Sequence, residues 1–584
     1  MAPVFVRESK MFIIAQDGSG DFSTVQAAID AVPAGKRTPA ILLVRRGIYR
    51  ERVVVNKDNV RLVGEDRDST VIVYNACAKD RDPDGNERGT FLSATVLVTG
   101  RDVEFENLTV MNDAGDGDVA GQAVALYAAG DRGVYRNCSL LAHQDTLFTG
   151  PVMPKVLADI APRTAEAECV GSCGDCPPTD SRLYFEGCFI RGDIDFIFGP
   201  YRVWFERCTL YMNARGGWYT AANTPEKQPY GFVFHRCRLT GECASGAGYL
   251  GRPWRRYART LFIECDMDEH VAAQGFTDWD EIRVVTERCG EYGTTGAREA
   301  QTSCHPRQKR LTADEAGQIT LQSVLGGQDG WQPDRRIPTW YMCGDSTMAD
   351  YPPDRYPMAG WGQVLQDELP ESVFVENCAV NGRSSKSFVN ENRLRYVDLC
   401  LRAGDKLIVS FSHNDEKAYD PSRYTDPNDT FKKYLGMFLN VAEKHGAEPV
   451  LVTPIARRCF DAEGRLVPTH GAYPEAIRSL ASERKVRLID LEKATMLYFS
   501  QAGEEGTKSI FCHVPAGHPN YPQGAQDNSH LQENGAHLVA RMFVERWNDP
   551  TWTERSFEQT DTEDCTELIA REDDVLKERG MAEP

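Results

Sequence analysis

The most regular hydrophobic pattern in the chain is a short phrase that recurs six times between residues 103 and 267. Each copy has an aromatic residue, a Cys or Leu three positions later, and an aliphatic residue or Met two positions after that. The copies begin at Phe105, Tyr135, Phe185, Phe205, Phe234 and Phe262. Positions two apart lie on one face of a strand, so the odd step after the aromatic residue predicts a bend or bulge within each copy.

The spacing of the copies indicates a solenoid. Most copies are 20 to 30 residues apart, and few helical patterns interrupt them. The pattern predicts a parallel β-helix, in which each coil buries its apolar face by stacking on its neighbours. An antiparallel sandwich with chance similarity between the copies is the alternative. The solenoid would contain an internal ladder of reduced, buried thiols at Cys138, Cys188, Cys208, Cys237 and Cys265.

The long gap between the second and third copies contains Cys169, Cys173 and Cys176. Its Pro and Gly residues predict a loop that leaves the solenoid and returns to it. A closed zinc site needs four ligands and no fourth lies nearby, so loop thiols or a disulfide are favoured over a metal. We therefore expect no metal, and the role of this insertion stays open.

The hydrophobic pattern changes after residue 331. Short apolar strands alternate with helical stretches such as 430–445, which is typical of a doubly wound, flavodoxin-like three-layer α/β domain with a parallel sheet. The predicted strands are 339–343, 373–375, 406–410, 449–453 and 486–489. We expect a first domain over 10–334, a second over 337–548, and a solvated acidic tail over 549–584.

Composition narrows the possible functions. The 66 basic and 86 acidic side chains give a net charge of -20, which disfavours nucleic acid as a partner; a polyanion would need a locally basic cleft. No stretch approaches the ~20 apolar residues of a membrane span, and the first ten residues lack the apolar core of a signal peptide. We expect a soluble, cytoplasmic protein without a membrane partner, with secretion by another route left open. The 18 cysteines are spread over a long chain, so most should be reduced.

Two aspartates occupy matching positions in the repeat. Asp145 lies seven residues after Cys138, and Asp195 lies seven residues after Cys188. Equal offsets in successive coils stack the carboxyl groups at about the 4.8 Å strand spacing. Because both cannot comfortably ionise, one should hold a proton while the other stays charged. The pair therefore predicts an acid and a nucleophile in one site, although the spacing also suits a retaining glycosidase.

Nearby polar side chains favour acyl transfer over glycoside cleavage. Gln122 and Gln144 can donate amide hydrogens to a developing oxyanion. Arg252 can keep one aspartate ionised through a charge-assisted hydrogen bond.

These residues lie in sequence motifs that resemble those of the pectin methylesterase family. The motifs occur in the same order as in that family and cover about residues 10 to 334. The resemblance implies a right-handed parallel β-helix that needs no cofactor and removes methyl esters from polygalacturonate. The matching motifs are Asp17–Gln26, Gly47–Glu51, Gly121–Leu126, Gln144–Leu147, Asp195–Gly199 and Leu250–Trp254.

The same resemblance implies a role for each site residue. Asp195 is the nucleophile, and Asp145 is the acid that protonates methanol and then the base that activates water. Gln122 and Gln144 stabilise the oxyanion, and Arg252 positions Asp195. The sugar cleft should be lined by Thr90, Phe198, Trp254, Phe276, where the family often has Trp, and Trp279.

In the second half, Ser346 follows a predicted strand in the tripeptide Gly344-Asp345-Ser346. Taken alone, a helix N-cap is the ordinary interpretation of such a serine. Asp527 and His530 change this, because residues three apart can share the face of one helical turn, where the carboxylate orients the imidazole for a serine nucleophile.

The segment Gly344–Ser346, the pair Asp527 and His530, and the segments Asn381–Ser385 and His413–Asp415 resemble motifs of the SGNH or GDSL hydrolases. The resemblance is closest to the rhamnogalacturonan acetylesterase branch and covers about residues 337 to 548. The resemblance implies Ser346 as nucleophile, His530 as base and Asp527 as its orienter. It also implies an oxyanion hole from the backbone of Ser346 and Gly382 and the side chain of Asn414. Ser412 replaces a usual glycine and could narrow the pocket. His413 and His470 have no assigned role and are expected to be ordinary hydrogen-bonded histidines.

The sequence thus predicts bifunctional de-esterification of pectin or oligogalacturonides and of acetylated rhamnogalacturonan, without a cofactor. Rival functions are a glycosidase or lyase for the first domain, and a carbohydrate-binding module or an esterase acting on something other than pectin for the second. The oligomeric state stays open.

Overall fold

A computed structural model describes residues 11–33, 35, 39–156, 181–299, 304–335, 337–370 and 372–549. The described residues belong to two compact units. One unit lies within Arg7–Pro338 and Tyr396–Cys400, and the other within Thr339–Arg395 and Leu401–Pro584. The expected insertion at Cys169, Cys173 and Cys176 and the expected acidic tail from residue 550 onward lie outside the described residues.

The first unit is a parallel β-helix, as the repeat predicts. Its strands form three parallel sheets, with eleven, nine and six strands among the described residues. The eleven strands are Phe12–Ile14, Ala40–Val44, Val60–Gly64, Glu104–Glu106, Gly133–Arg136, Arg182–Glu186, Arg202–Glu206, Phe232–His235, Thr260–Ile263, Gly290–Tyr292 and Lys309–Arg310. The nine are Gly47–Arg50, Thr70–Tyr74, Thr109–Asn112, Ser139–Leu141, Phe189–Gly192, Thr209–Met212, Arg238–Gly241, Asp266–Met267 and Thr295–Gly296. The six are Val53–Val55, Val96–Val98, Leu126–Ala128, Leu147–Thr149, Ile197–Gly199 and Thr220–Ala222.

Smaller elements complete this unit. Gly217–Trp218 pairs in parallel with Gly248–Tyr249. Thr90–Ser93 forms a 3₁₀ turn, and short α-helices span Val25–Asp30, Gly117–Ala120, Ala313–Gly317 and Leu321–Leu325.

The predicted bend within each copy of the repeat is confirmed. The residue just before each ladder Leu or Cys has a left-handed backbone, with φ between 48° and 60°, and this turn passes the chain from the eleven-stranded sheet to the nine-stranded one. The turn explains how residues an odd number apart both face the interior. The six residues are Asn107, Asn137, Gly187, Arg207, Arg236 and Glu264.

Two ladders fill the interior behind these turns. The repeat aromatics stack coil on coil with ring centroids 4.4 to 5.4 Å apart. The thiols of Cys188, Cys208, Cys237 and Cys265 each donate to the carbonyl oxygen of the aromatic residue one coil earlier, at 3.3 to 3.6 Å. All five predicted ladder cysteines are buried and free, which confirms the ladder. Burial raises the pKa of the thiols of Cys138, Cys208 and Cys265.

The second unit has the predicted parallel α/β sheet. Its strands, in spatial order, are Phe374–Asn377, Thr339–Gly344, Lys406–Ser410, Glu448–Val452 and Arg487–Ile489. All five predicted strands are therefore present, within two residues at each end. An antiparallel pair, Phe511–Val514 with Ala525–Leu531, lies beyond them in the chain.

Helices cover this sheet in two groups. Alternate strand residues face opposite sides, and Met342, Ile408 and Val450 pack with the group that contains Glu533–Asn548. That group is Trp361–Val364, Leu491–Gly506 and Glu533–Asn548, and the other is Ser385–Asn390, Thr430–His445 and Tyr473–Arg484. A further helix spans Arg393–Cys400. The predicted helix over 430–445 is confirmed.

No helix in the described part of the chain is both long enough and apolar enough to cross a membrane. Within the same residues, no group of three or more His, Cys, Asp or Glu side chains is arranged to hold a metal ion.

Candidate active sites

The two repeat-matched aspartates lie one coil apart. Asp145 and Asp195 each precede a strand of the six-stranded sheet by two residues, and the strands pair with Leu147 opposite Ile197. Both aspartates adopt a left-handed backbone, with φ of 66° and 50°, which Asp tolerates better than most residues. Their carboxyl groups are nearly buried, with 8% and 6% of each residue exposed. The predicted placement of the two aspartates on neighbouring coils is confirmed.

Burial and one arginine make the two carboxyl groups unequal. Burial, followed by the charge of Asp195, raises the pKa of Asp145 well above its usual range. Burial also raises the pKa of Asp195, but the hydrogen bonds and charge of Arg252 oppose that rise. Arg252 donates to both oxygens of Asp195, from Nε at 3.0 Å and from Nη2 at 2.7 Å. Asp145 is therefore suited to carry the proton, and Asp195 to stay ionised.

Arg252 is itself held between two indole rings. Its guanidinium carbon lies 3.8 Å from the ring centroid of Trp218 and 3.9 Å from that of Trp279. Trp218 is in turn fixed by a 2.7 Å hydrogen bond from its Nε1 to the Thr277 hydroxyl. No sequence motif singles out Trp218, because it lies in a two-residue strand outside the repeat. Its nearness to Arg252 is produced by the pairing of Gly217–Trp218 with Gly248–Tyr249.

The two glutamines lie on the coils that lead to the aspartates. The amide of Ala123, next to Gln122, donates to the carbonyl oxygen of Gln144 at 3.1 Å, so the two glutamines occupy neighbouring coils. Both are half-buried, and the side chain of Gln144 is hydrogen bonded to Asp145. The structure thus gathers Gln122, Gln144, Asp145 and Asp195 on consecutive coils.

A third carboxyl group, that of Asp193, lies two residues before Asp195 in the chain. Asp193 is fully buried, and its Oδ2 contacts His143 Nδ1 at 3.1 Å and Asn213 Nδ2 at 3.3 Å. Its charge adds to the rise in the pKa of Asp145. No sequence motif singles out Asp193 either. Its one distinguishing feature in the sequence is its position two residues before Asp195.

Aromatic residues form a wall beside the carboxyl groups. Phe198 packs on Trp254 with ring centroids 5.9 Å apart, and Trp254 and Trp279 are partly exposed members of the same cluster. Thr90 is half-buried at the start of a 3₁₀ turn whose next residue, Phe91, joins the cluster.

Phe276 departs from the expectation that it lines the cleft. It is 1% exposed and packs against Phe262 in the interior of the β-helix, with ring centroids 6.2 Å apart. The bridge from Gly251 to Phe276 holds the neighbouring backbone, while the side chain points into the core. Phe276 supports the cleft from inside and does not line it.

In the second unit, a serine, a histidine and an aspartate form a hydrogen-bonded chain. His530 Nε2 lies 2.9 Å from the hydroxyl oxygen of Ser346, and His530 Nδ1 lies 2.7 Å from Asp527 Oδ2. Hydrogen bonds from His530, opposed by partial burial, lower the pKa of Asp527 to about 2. The arrangement allows the imidazole to take the serine proton while the carboxylate stays ionised.

The local structure around Asp527 and His530 is not the predicted helical turn. Both residues lie in the strand Ala525–Leu531, which pairs with Phe511–Val514 through an irregular register. Asp527 Oδ1 accepts hydrogen bonds from the backbone amides of Ser529 at 2.8 Å and His530 at 2.9 Å. This bulged segment, and not a helix, brings residues three apart onto one side.

The N-cap interpretation of Ser346 is also wrong. Ser346 lies in the turn after the strand Thr339–Gly344. The carboxylate of Asp345 accepts from the Thr347 amide at 3.0 Å and from its hydroxyl at 2.9 Å. Because Asp345 accepts the hydrogen bonds within this turn, the Ser346 hydroxyl is available to His530.

The expected oxyanion donors follow three neighbouring strands. Ser346, Gly382 and Asn414 come after the carboxyl ends of Thr339–Gly344, Phe374–Asn377 and Lys406–Ser410, which is where parallel α/β sheets place their sites. Gly382 has φ of 76°, which favours glycine. Asn414 is 2% exposed, and its Nδ2 donates to the Arg383 carbonyl at 3.1 Å.

The substituted Ser412 does not line an open pocket. It is fully buried, and its hydroxyl donates to Glu416. Glu416 also contacts His470 Nδ1 at 2.5 Å, while His470 Nε2 lies 2.9 Å from the Ile455 carbonyl oxygen. His413 Nδ1 lies 3.4 Å from Asp345 Oδ2. His470 is therefore a hydrogen-bonded interior residue, as expected. His413 departs from that expectation in part, because its Nε2 is buried without a hydrogen-bond partner among the described residues.

Comparison with known proteins identifies both units. The family model described as Pectinesterase matches residues 11–151 and 178–328, half of the chain. The GDSL-like Lipase/Acylhydrolase family model matches residues 342–535.

Individual relatives agree with the two models. Rhamnogalacturonan acetylesterase RhgT of Bacillus subtilis (strain 168) is 43% identical over 206 residues, covering 35% of this chain and 87% of that protein. Pectinesterase 31 of Arabidopsis thaliana is 30% identical over 324 residues, covering 54% of this chain and 92% of that protein. The solved structure of pectin methylesterase PemA from Erwinia chrysanthemi shares 27% identity at a TM-score of 0.45, covering 55% of this chain and 97% of that one. The chain therefore belongs to the pectinesterase family and continues into a GDSL-like lipase/acylhydrolase unit, so that both of its parts are carboxylic ester hydrolases.

Proposed function

We propose that this protein removes two kinds of ester from pectic polysaccharide: methyl esters of galacturonate in the first unit, and acetyl esters of pectin or rhamnogalacturonan in the second. The observation that carries the proposal is that one chain holds two complete nucleophilic groups of different chemistry. One is the Asp145 and Asp195 pair with Arg252, and the other is the chain of Ser346, His530 and Asp527.

In the first unit, the Asp195 carboxylate attacks the carbonyl carbon of the methyl ester. Gln122 and Gln144 donate to the oxyanion of the tetrahedral intermediate. As the carbon–oxygen bond to methoxide breaks, Asp145 transfers its proton and methanol leaves, with the galacturonyl group bound to Asp195. Asp145, now ionised, takes a proton from water, whose oxygen attacks the acyl carbon and releases the carboxylate of galacturonate and of Asp195. The raised pKa of Asp145 suits both of its proton transfers.

In the second unit, the Ser346 hydroxyl attacks the acetyl carbonyl while its proton passes to His530 Nε2. The backbone amides of Ser346 and Gly382 and the side chain of Asn414 stabilise the oxyanion. His530 protonates the departing sugar hydroxyl, leaving an acetyl group on Ser346. It then takes a proton from water, whose oxygen attacks the acetyl carbonyl carbon. As the bond to Ser346 breaks, His530 returns that proton to the serine oxygen, and acetic acid leaves and ionises in solution.

The two substrates are inferred from the names of the relatives. Relatives over the first unit are pectinesterases, and RhgT is a rhamnogalacturonan acetylesterase. Trp254 and Trp279 are partly exposed beside the carboxyl groups, where their rings can contact a sugar.

The test is to incubate the purified full chain with native, acetylated sugar-beet-type pectin and to measure methanol, acetate and new reducing ends in parallel. Release of both methanol and acetate, without new reducing ends, is expected. New reducing ends would instead indicate a glycosidase or lyase. Release of methanol alone would leave the second unit as a carbohydrate-binding module or an esterase with another substrate.

A further inference from the structure

The two ends of the Asn414 side-chain amide have different partners. Its Oδ1 accepts a 2.8 Å hydrogen bond from Lys417 Nζ and a longer one, 3.4 Å, from Arg423 Nη1. Its Nδ2 donates to the Arg383 carbonyl oxygen at 3.1 Å. Because Lys and Arg side chains donate and never accept, they determine which end of the amide is oxygen. One Nδ2 hydrogen is used by Arg383, and the other is available to an oxyanion.

Arg423 connects both loops that supply oxyanion donors. Besides Asn414, its Nη1 donates to the Gly382 carbonyl oxygen at 3.4 Å. Its Nε is held by Asp420 Oδ2 at 2.5 Å. Arg423 and Lys417 are both half-buried, so neither is a freely solvated surface cation. The guanidinium is thus fixed on one side by a carboxylate and faces two residues of the expected oxyanion hole on the other.

Lys417 is surrounded by charges of both signs. Partial burial, followed by the charges of Arg423 and Arg457, lowers the pKa of its amino group, while Asp345 and Asp420 oppose that fall. The ammonium group therefore reaches the amide through its direct 2.8 Å hydrogen bond and not through a net positive field. Fixed positive groups are most effective where negative charge develops during acyl transfer.

A cation on the oxygen end of an amide has two effects on its nitrogen end. It prevents the amide from rotating by half a turn, which would present the oxygen to the oxyanion. It also draws electrons toward Oδ1, so the remaining Nδ2 hydrogen becomes a stronger donor, as happens along any chain of hydrogen bonds.

We propose that Lys417 and Arg423 are positioning residues for acetyl-ester hydrolysis, which hold the Asn414 amide in its productive orientation and strengthen its donation to the oxyanion. This inference rests on the proposed acetylesterase function of the second unit. Neither residue touches the reacting atoms; both act through Asn414.

The first experiment compares Lys417→Met and Arg423→Met with the parent chain on two substrates, uncharged p-nitrophenyl acetate and acetylated rhamnogalacturonan. Each loses a charge-assisted hydrogen bond, so kcat should fall about tenfold on both substrates, with KM nearly unchanged. Lys417→Arg and Arg423→Lys keep the charge and should recover part of the loss. Lys386→Met is the matched control: Lys386 is half-buried like Lys417, but its Nζ donates to the Pro421 carbonyl oxygen at 2.8 Å and not to Asn414, so its loss should leave kcat at the parental value.

The second experiment combines Lys417→Met with Asn414→Ala. Asn414→Ala alone should lower kcat roughly 100- to 1000-fold, as the loss of one oxyanion donor does. If Lys417 acts through the amide, adding Lys417→Met should then change kcat less than twofold. Unfolding temperatures within a few degrees of the parent, and unchanged methanol release, exclude a general loss of structure.

Three results would overturn the proposal. A rise in KM confined to acetylated rhamnogalacturonan would assign the cations to the substrate carboxylate. A tenfold effect of Lys417→Met that persists beside Asn414→Ala would show that Lys417 acts without the amide. Failure of the parent function is separate: it would appear as undiminished acetate release from Ser346→Ala, whereas failure of the positioning role would appear as parental kcat in Lys417→Met while Ser346→Ala is inactive.

Discussion

The two ester sites in this chain prepare their nucleophiles in opposite ways. In the β-helix the proposed nucleophile, Asp195, attacks as an anion, and two hydrogen bonds from Arg252 favour its ionised form in a buried place. In the α/β unit the proposed nucleophile, Ser346, is neutral and must lose its proton during the reaction, for which His530 and Asp527 lie at hydrogen-bonding distance. The first site depends on burial and fixed charge, and the second on a continuous path for one proton.

This difference is reflected in the source of each side chain. The β-helix site is built by stacking, so its members come from equivalent positions on consecutive coils. The α/β site is built at the ends of neighbouring strands and completed from a distant hairpin that carries Asp527 and His530. A repeat can therefore reveal the first site within one stretch of sequence, whereas the second requires residues almost 200 positions apart.

The largest effect should separate the sites completely. Asp195→Asn should lower methanol release by at least about 1,000-fold, because the amide cannot attack the ester, while acetate release stays near parental. Methanol and acetate are measured from the same pectin digest, with thermal unfolding as a control for folding. Methanol release near the parental rate would refute Asp195 as the nucleophile.

The reciprocal change is Ser346→Ala, which should abolish acetate release to a similar extent and leave methanol release unchanged. The hydroxyl supplies the acyl-enzyme bond only in the second unit. A trapping experiment sharpens the result: a serine-directed phosphonate should label the parent once at Ser346, and the variant not at all. Labelling elsewhere together with retained acetate release would mean that another residue is the nucleophile.

A smaller effect should separate the influence of burial from the influence of Arg252 on the pKa of Asp195 in the first site. Methanol release requires Asp195 ionised and Asp145 protonated, so kcat/KM should fall both at acidic pH, as Asp195 protonates, and at alkaline pH, as Asp145 ionises. Arg252→Met removes the influence that lowers the pKa of Asp195. The acidic limb should therefore move up by about 1 to 3 pH units, with kcat/KM at the optimum lowered at least about tenfold.

The matched control for that change is Arg283→Met. Arg283 also stacks on Trp279, at 4.7 Å from the ring centroid, and is ion-paired with Asp280. Its loss should leave both limbs of the pH profile where they are. An acidic limb that does not move in Arg252→Met would show that the arginine does not set the ionisation of Asp195.

The smallest effect concerns the interior of the β-helix and should leave both activities intact. The five ladder cysteines are buried and should react with a maleimide only on unfolding, whereas the exposed Cys459 should react at once. Peptide mass spectrometry after brief labelling of the native protein measures both. Rapid native labelling of Cys138, Cys188, Cys208, Cys237 or Cys265 would contradict the ladder.

Much of this structure could be predicted where hydrophobic residues repeat at a regular spacing along the sequence. The odd spacing predicts a bend before each ladder Cys or Leu, and the structure supplies it with a left-handed residue, although only three of the six positions hold Asn or Gly. Arg, Arg and Glu at the others have little preference for that backbone, so propensity would have missed them. The strands of the α/β sheet were equally visible, because each is a short apolar run.

Local rules failed where tertiary contacts supply the geometry. Asp527 and His530 are compatible with a helical turn by spacing, but pairing with Phe511–Val514 holds them in a bulged strand. Phe276 was assigned to the cleft with Trp279 nearby in the chain, but its side chain turns into the core. Trp218, Lys417 and Arg423 lie outside any motif, so spacing gave no reason to place them beside Arg252 or Asn414.

The sequence by itself determined the two architectures, the stacking of Asp145 on Asp195, and the chemical type of each nucleophile, because periods and motif words depend on neighbours in the chain. Only the tertiary structure decided which carboxyl group holds the proton and what orients each oxyanion donor. Those properties depend on burial and on charges that arrive from other coils and loops: Arg252 on Asp195, and Lys417 on Asn414. Electrostatic energies vary with distance and solvent exposure, and a linear sequence specifies neither until the chain is folded.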